Sequence, residues 1–191
     1  METKNIMIVG VGGQGSLLAS KLLGRLLMEQ GYDVKVSEVH GMSQRGGSVV
    51  TYVRYGDKVY SPTVEAGEAD IILAFEQLEA LRSLSCLAPQ GTLIVNTQTI
   101  EPMPVITGSA AYPQDIIPTM EATGAKIVAA DALAIATECG TAKAVNIVLL
   151  GIAAKRLGLA EEDFFPAIDA LVKEKFRDVN KAAFSRGYAL G

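Results

Sequence analysis

Short apolar runs and a leucine-rich stretch alternate over the first part of the chain. Residues 5–9 form a β-branched and apolar run that ends in glycines, and leucines follow at helical spacing at positions 17, 18, 22, 26 and 27. Gly31 is placed to end this helix, and residues 32–36 have the composition of a second strand. The pattern predicts a β-α-β unit long enough for a right-handed parallel crossover.

The alternation continues to the C-terminus with one interruption. Residues 48–55 favour a strand, Gly56-Asp57 supplies turn chemistry, and residues 58–61 are predicted to return as an antiparallel partner. Further strands are predicted at 70–75, 92–96 and 126–129, and helices at about 77–84, where Pro89 and Gly91 mark the end, and 115–123. Residues 101–118, with four prolines, are predicted to be a connector.

These elements predict an α/β fold with a mainly parallel central sheet, a Rossmann-like start, an antiparallel hairpin and C-terminal helices. The length of 191 residues suits a single domain, 1–191, with a helical C-terminal portion from about 131 to 191. Hydrophobic residues make up 49% of the chain, an apolar surplus that indicates a buried interface.

Charge and cysteine content narrow the function classes. The chain has 17 Lys and Arg against 21 Asp and Glu, and its sequence contains no basic run suited to binding nucleic acid. The apolar run 6–9 is too short for a signal peptide core or a membrane span, so we expect a cytoplasmic protein. Cys86 and Cys139 have no second cysteine nearby and His40 is the sole histidine, so we expect no metal site and two buried free thiols.

A glycine-rich turn between the first strand and the first helix is the first candidate site. It consists of Gly10, Gly12, Gly13, Gln14 and Gly15 with Val11, and fits G-x-G-x-x-G. Glu38 follows at about the position where a dinucleotide fold places its ribose-binding acid, which would make this an NAD site. The doubled glycine and the polar side chain of Gln14 argue against an NAD site. The alternatives are that the turn binds a phosphate or other anion of a different ligand, or that its glycines serve packing alone.

A second segment, framed by glycines, contains several closely spaced polar side chains. Its candidate site residues are Glu38, His40, Gly41, Ser43, Gln44, Arg45, Gly46 and Gly47. A loop leaving the second parallel strand should lie beside the loop leaving the first, so we expect the two segments to meet. Arg45 suits a carboxylate or phosphate, or else pairs with Glu38. The side chain of His40 either contacts a ligand or forms its hydrogen bonds with neighbouring residues.

The motifs GVGGQG (10–15), SEVHGMSQRGGS (37–48) and VYSP (59–62) resemble the gamma-type subunit or domain of 2-oxoacid:ferredoxin oxidoreductases. The segment HGMSQRGG is most similar to the beta subunit of the indolepyruvate type of these enzymes. Further similarity lies in AFE (74–76), Asn96, residues 146–151 and Asn180, so that the resemblance covers nearly the whole chain.

The resemblance implies a thiamine diphosphate-dependent oxidative decarboxylation of a 2-oxoacid, with coenzyme A accepting the acyl group and ferredoxin the electrons. In the indolepyruvate branch the substrates are aryl pyruvates. It implies that thiamine diphosphate, magnesium and iron–sulfur clusters are held by a large catalytic partner subunit, with coenzyme A at the interface. This chain would then be inactive alone, with no catalytic residue of its own assigned. The sequence agrees in having no cysteine set for a cluster.

Three functional hypotheses therefore stand at the level of sequence. The first is a non-autonomous subunit whose two glycine-framed segments form one surface facing the partner's thiamine site. The second is a free-standing NAD(P)-dependent oxidoreductase, for which His40 is the one available histidine. The third is a regulatory module that binds a small anion.

Overall fold

The computed structural model describes residues 2–40 and 46–191, with His40 described by its backbone alone. The strands are β1 (Lys4–Val11), β2 (Asp33–His40), β3 (Ser48–Gly56), β4 (Ala69–Ala74), β5 (Leu87–Asn96) and β6 (Lys126–Ala130). The helices are α1 (Ser16–Glu29), α2 (Gln77–Ser83), α3 (Met103–Ile106), α4 (Ile116–Glu121), α5 (Ala132–Glu138), α6 (Val145–Arg156), α7 (Phe164–Leu171) and α8 (Arg177–Tyr188). The predicted α/β class is confirmed.

The strands form a single sheet in the order β2-β3-β1-β4-β5-β6. β1, β4, β5 and β6 are parallel neighbours. β3 runs antiparallel to β1 on one side and to β2 on the other. The sheet is therefore mainly parallel with one reversed strand. β1 and β2 have the same direction, but β3 separates them.

The partner of β3 differs from the prediction. Residues 58–61, predicted to return as the second strand of a hairpin, lie outside any strand. β3 instead pairs with β2, from Asp33↔Gly56 to His40↔Val49, and with β1 over a similar length. Two long neighbours satisfy the backbone of β3 on both edges, which a four-residue return strand cannot do. The hairpin is thus β2-β3, with its connection at the carboxyl end of β2.

The two faces of the sheet carry separate apolar cores, because successive strand residues point to opposite sides. Ile6 and Ile8 of β1 pack on the face covered by α1 and the C-terminal helices. Met7 and Val9 pack on the face covered by α2 and α4. The result is a three-layer arrangement with the carboxyl ends of β1, β4 and β5 at one edge.

The helical C-terminal portion covers one face of the sheet, as the predicted C-terminal helices require. α6 is the central helix of this layer, with residues 145–154 buried, and it packs against α1, α5, α8, β4 and β5. A helix that is apolar on all sides is stable only when it is surrounded in this way. Among the described residues, no helix has the length and apolarity needed to cross a bilayer.

Two residues that were predicted to end a helix lie instead within a strand. Pro89 and Gly91, predicted to mark the end of the preceding helix, lie in the irregular start of β5, where its pairing with β4 shifts register. A Cβ on Gly91 would lie 2.5 Å from the carbonyl oxygen of Ala69, so the glycine permits close strand approach. The predicted connector at 101–118 is confirmed apart from the single turn of α3 and the start of α4.

Candidate functional site

The glycine turn lies at the carboxyl end of β1 and leads directly into α1. Gly13 and Gly15 have φ values of 102° and 88°, which side chains with a Cβ rarely adopt. Gly15 precedes the first residue of α1, whose initial N–H groups have no acceptor within the helix. These donors and the positive end of the helix dipole can hold an anion.

Gln14 uses its side chain to hold the turn in shape. The Val11 N–H donates to Gln14 Oε1 at 2.7 Å, and Gln14 Nε2 donates to the carbonyl oxygen of Phe75 at 3.0 Å. A Cβ on Gly10 would lie 2.7 Å from Gln14 Oε1, so glycine is needed there for the same contact. Of the predicted site residues in the turn, Gln14 thus has a structural function that its polarity did not indicate.

Another amide side chain ties this edge of the sheet together. The buried Asn96 at the end of β5 donates from Nδ2 to the Phe75 carbonyl oxygen at 3.2 Å. Asn96 Oδ1 accepts the N–H of Ala132, the first residue of α5, at 3.1 Å. Gln14 and Asn96 therefore converge on one carbonyl group, which fixes β1, β4 and β5 relative to the glycine turn.

The described end of the second segment lies against the glycine turn. The Gly12 N–H donates to the carbonyl oxygen of Gly47 at 2.9 Å, and Val11 pairs with Ser48 in the sheet. The reason differs from the one given by the sequence: β2 is not adjacent to β1, and the contact is made through β3. Gly46 has a φ of 76°. Gly41, Ser43, Gln44 and Arg45 lie outside the described residues, and the backbone of His40 ends β2.

Glu38 lines an open concavity beside the turn. This concavity, of about 440 Å³, is bounded by residues Gly12, Gly13, Gly15, Ser16, Leu17, Glu38 and Val49. Glu38 is exposed and pairs with Thr51 of β3 in the sheet. In a dinucleotide fold the acid follows a strand that neighbours β1. Here one extra strand, about 4.8 Å wide, lies between them.

A buried carboxylate at the base of the second segment was not identified as part of the site from the sequence. The Glu79 side chain on α2 is only 6% exposed and accepts hydrogen bonds from Ser48 Oγ at 2.5 Å and Arg82 at 2.6 Å. Ser48 is the first residue of β3, directly after Gly47. Glu79 therefore connects α2 to the start of β3. An acid three residues before an arginine is common on exposed helix faces, so the sequence contains no signal that distinguishes Glu79.

A second side chain that sequence reasoning did not assign to the site is Asn146, near the start of α6. It is 3% exposed, and its Nδ2 donates to the carbonyl oxygen of Gly15 at 3.1 Å. A Cβ on Gly15 would lie 2.6 Å from this nitrogen. A lone amide in an otherwise apolar helix is the sequence signal for such a contact. Asn146 thus joins α6 to the glycine turn.

Metal-ligating side chains do not gather in the described part of the chain. Within residues 2–40 and 46–191, no three side chains of the His, Cys, Asp or Glu type lie close enough to hold an ion. Cys86 and Cys139 are both free thiols, but the predicted burial is wrong, because both residues are partly exposed.

Comparison with known proteins places this geometry in a family. The model of the family described as pyruvate ferredoxin/flavodoxin oxidoreductase matches residues 5–190. The chain is 44% identical over 194 residues to indolepyruvate oxidoreductase subunit IorB of Thermococcus kodakarensis, covering 98% of this chain and 95% of that protein.

Solved structures share the fold. Pyruvate oxidoreductase subunit PORC from Thermotoga maritima aligns with a TM-score of 0.78 at 22% identity, over 99% of this chain and 97% of that one. The 2-oxoglutarate:ferredoxin oxidoreductase from Magnetococcus marinus, solved with 2-oxoglutarate, coenzyme A and succinyl-CoA, aligns with a TM-score of 0.77 at 18% identity. It covers 100% of this chain but 31% of that longer chain. The chain belongs to the pyruvate ferredoxin/flavodoxin oxidoreductase family.

Proposed function

We propose that this chain is a non-autonomous subunit of a thiamine diphosphate-dependent 2-oxoacid:ferredoxin oxidoreductase that acts on indolepyruvate or related aryl pyruvates. Family membership and the 44% identity to a subunit of indolepyruvate oxidoreductase support the reaction class. The structural observation that carries the proposal is the Gly12–Gly47 hydrogen bond, which joins the two glycine-framed segments at one edge of the sheet.

The contribution of this chain is a surface of hydrogen-bond donors. The N–H groups around Gly13 and Gly15, at the start of α1, suit a phosphate group of coenzyme A. Arg45, with His40, Ser43 and Gln44, would contact that phosphate or position the wall of the partner's active site. Gly41, Gly46 and Gly47 would let backbone donors approach closely.

The redox chemistry belongs to the partner in this proposal. A large catalytic subunit would hold thiamine diphosphate, magnesium and the iron–sulfur clusters, and would deliver electrons to ferredoxin. Thiamine diphosphate held by that subunit would supply the carbanion-stabilising chemistry that decarboxylation of a 2-oxoacid requires. Cys86 and Cys139 are 53 residues apart in sequence and offer no cluster spacing (139 − 86 = 53). The apolar surplus of the chain would be used in the contact with the partner.

The geometry lends less support to the second hypothesis and does not distinguish the third. For an NAD-dependent oxidoreductase, the strand between β1 and β2 moves Glu38 away from the position of a ribose-binding acid. A regulatory anion-binding module would use the same N–H groups around Gly13 and Gly15. The first and third hypotheses differ in their effect on the partner. If the chain is a regulatory module, a variant that no longer binds the anion should leave the turnover of the partner unchanged.

The test is reconstitution with the large subunit and an assay of indolepyruvate-dependent acceptor reduction in the presence of coenzyme A. The chain alone should be inactive. Arg45→Ala should lower turnover or raise the coenzyme A concentration needed about tenfold, in line with loss of a charged hydrogen bond. Arg25→Ala removes the same charge from the exposed surface of α1 and is the matched control.

An Arg45→Ala complex that assembles and turns over normally would remove Arg45 from the proposed site. A chain that purifies from its native cell without an iron-containing partner, or that binds NAD(H) tightly on its own, would overturn the proposed function as a whole.

A further inference from the structure

Part of the connector that follows β5 forms a loop whose two ends are held by one buried carboxylate. Glu76, which is 1% exposed, accepts the Ile100 N–H at 3.2 Å and the Tyr112 hydroxyl. Residues 101–111 lie between these two contacts, and none of them is buried. Surface loops with their ends close together are compact and frequently functional. Residues 101–111 are therefore a protruding loop with a fixed base.

The protruding loop also holds its own shape. The carbonyl oxygen of Pro104 accepts the Ser109 N–H at 2.8 Å, the Ala110 N–H at 3.0 Å and the Ser109 hydroxyl at 2.9 Å. The Met103 carbonyl oxygen accepts both the N–H and the hydroxyl of Thr107, each at 2.9 Å. All of these bonds are local, so the single turn of α3 is formed without a hydrophobic core around it.

Two large apolar side chains on this turn face solvent. Met103 and Ile106 are each 62% exposed, and their separation by three residues places them on the same side of α3. Residues 102–114 contain no Asp, Glu, Lys or Arg, although these types make up 20% of the chain. A single exposed apolar residue is ordinary, but an uncharged loop that is held rigid around two of them is typical of a protein–protein contact.

The protruding loop adjoins the second glycine-framed segment. Residues 102–104 line a concavity of about 300 Å³ together with residues 46–48, and Leu78 and Ile100 contribute to its apolar wall. The loop and the described end of the segment therefore form one continuous surface at the carboxyl edge of the sheet. A protein that covers the glycine-framed segments would also reach Met103.

This continuity and the absence of charge select one occupant. A lipid surface is disfavoured, because binding to anionic membranes uses Lys and Arg, which residues 102–114 lack. A second copy of this chain on the loop would cover the edge that the proposed function assigns to the catalytic partner. The large catalytic subunit is the occupant that fits both observations.

We propose that Met103 and Ile106 insert into an apolar recess of the large catalytic subunit and that the protruding loop anchors this chain in the complex. The inference rests on the proposed function, because it assigns the contact surface for the same partner. Glu76 and Pro104 already hold the loop in shape, so docking costs little conformational entropy. A few apolar side chains placed in this way can contribute most of the binding free energy.

The test is the affinity of the full chain for the large catalytic subunit, which is immobilised through a tag for biolayer interferometry. Met103→Asp and Ile106→Asp should each weaken binding about tenfold or more, because each would place a charge in an apolar recess. The double variant should weaken it about a hundredfold or more. Met103→Leu keeps an apolar side chain and should bind within about threefold of the native chain.

Met28→Asp is the matched control. Met28 is 60% exposed, close to the value for Met103, but it lies near the end of α1. α1 begins at the glycine turn and extends about 20 Å away from the carboxyl edge of the sheet. Its aspartate variant should bind like the native chain. Each of these substitutions replaces an exposed side chain, so all variants should show the circular dichroism spectrum and the thermal unfolding of the native chain.

The outcomes separate this inference from the proposed function. If the native chain binds and both aspartate variants bind equally well, or if Met28→Asp weakens binding as much as Met103→Asp, the loop is not the anchor and the proposed function still stands. If the native chain does not bind the large subunit at all, both proposals fail.

Two further measurements on the chain alone examine the other occupants. Sedimentation velocity detects self-association, and co-sedimentation with vesicles of phosphatidylcholine and phosphatidylglycerol detects lipid binding. We expect a monomer that does not bind vesicles. Self-association or vesicle binding that Met103→Asp abolishes would assign the loop to a second copy or to a lipid surface, against the proposal.

Discussion

Gly187 on α8 lies directly against the backbone of Val148 on α6. A Cβ on Gly187 would lie 1.9 Å from the carbonyl oxygen of Val148, a distance that no real contact permits. The approach is reciprocal, since a Cβ on Gly151 of α6 would lie 2.3 Å from the carbonyl oxygen of Phe184 on α8. The two helices thus pack closely through glycines. This packing fixes the position of α6, and therefore of Asn146, beside the glycine turn.

Gly187→Ala should therefore lower the free energy of unfolding by about 3 kcal/mol, because the clash is with backbone and one of the helices must move. Gly24→Ala is the matched control with the opposite sign. Gly24 lies within α1, where a Cβ would meet Val36 Cγ2 at an ordinary 3.5 Å, so alanine should stabilise by about 0.5–1 kcal/mol. Chemical denaturation followed by circular dichroism measures both. Equal effects of the two substitutions would contradict the helix packing described.

Loss of the Gln14 side chain should destabilise the chain although the residue is only partly buried. Gln14→Ala removes the acceptor of the Val11 N–H and a donor to the Phe75 carbonyl oxygen. We expect the free energy of unfolding to fall by about 2 kcal/mol, the sum of two ordinary hydrogen bonds. Gln114→Ala, which removes an exposed amide that also donates to a backbone carbonyl, should change it little. If both variants unfold at the same denaturant concentration, Gln14 does not hold the turn.

Glu76 connects the start of α2 to the connector that follows β5. The carboxylate is 1% exposed and accepts the Glu79 N–H at 3.0 Å, the Ile100 N–H at 3.2 Å and the Tyr112 hydroxyl. Burial, with the hydrogen bond to Glu76, raises the pKa of Tyr112 above its usual range, which keeps this donor protonated.

Glu76→Ala should cost about 3 kcal/mol of unfolding free energy, and Tyr112→Phe about 1 kcal/mol, because the first leaves buried donors unpaired and the second removes one bond. Denaturation at pH 7 compares them, and the double variant should cost less than the sum, because the two side chains share a bond. Strict additivity would show that the Glu76–Tyr112 contact contributes nothing.

Asp33 gives the fold an acid-sensitive contact at the start of β2. Its side chain accepts hydrogen bonds from Lys35 and from the Val59 N–H at 3.0 Å, which lower its pKa from 3.8 to about 2. A depressed carboxyl pKa stabilises the native state above pH 3.8, and this stabilisation is lost as the pH falls toward 2.

Asp33→Asn should therefore make the unfolding free energy less dependent on pH between 3.8 and 2. Thermal unfolding across this range measures the slope for the native chain and the variant. Asp178→Asn, at an exposed position in the first turn of α8, is the charge-matched control and should keep the native slope. A variant at Asp33 with the native slope would mean that the contacts of Asp33 with Lys35 and Val59 do not form in solution.

The elements that could be predicted were those whose own residues determine them. The β-branched run of β1, the leucine spacing of α1 and the glycines that end them define strand, turn and helix locally. The position of β3 could not be read in this way. Its alternating pattern, buried at Val49, Thr51 and Val53, indicates a strand but contains no information on which strand lies beside it.

The same limit applies to the site. The glycine turn and the second glycine-framed segment could be predicted from composition. Their contact was expected for the wrong reason, since it is made through β3. The sequence marks Asn146 as a lone amide in an apolar helix, but neither Asn146 nor Glu79 could be placed beside the glycine-framed segments, because they lie 131 residues from Gly15 and 31 residues from Ser48 along the chain. Only the packing of α6 and α2 against the carboxyl edge of the sheet brings them there.

The reversed strand β3 has a consequence for how members of this family can diverge. Its full length pairs with β1 and β2, so the connection between β2 and β3 begins and ends on backbone that is hydrogen-bonded within the sheet. Insertions or exchanges within that connection would alter the surface that we propose for coenzyme A and the partner, while leaving both apolar layers intact. On that proposal, a few substitutions confined to one hairpin connection would be enough to change what the chain recognises.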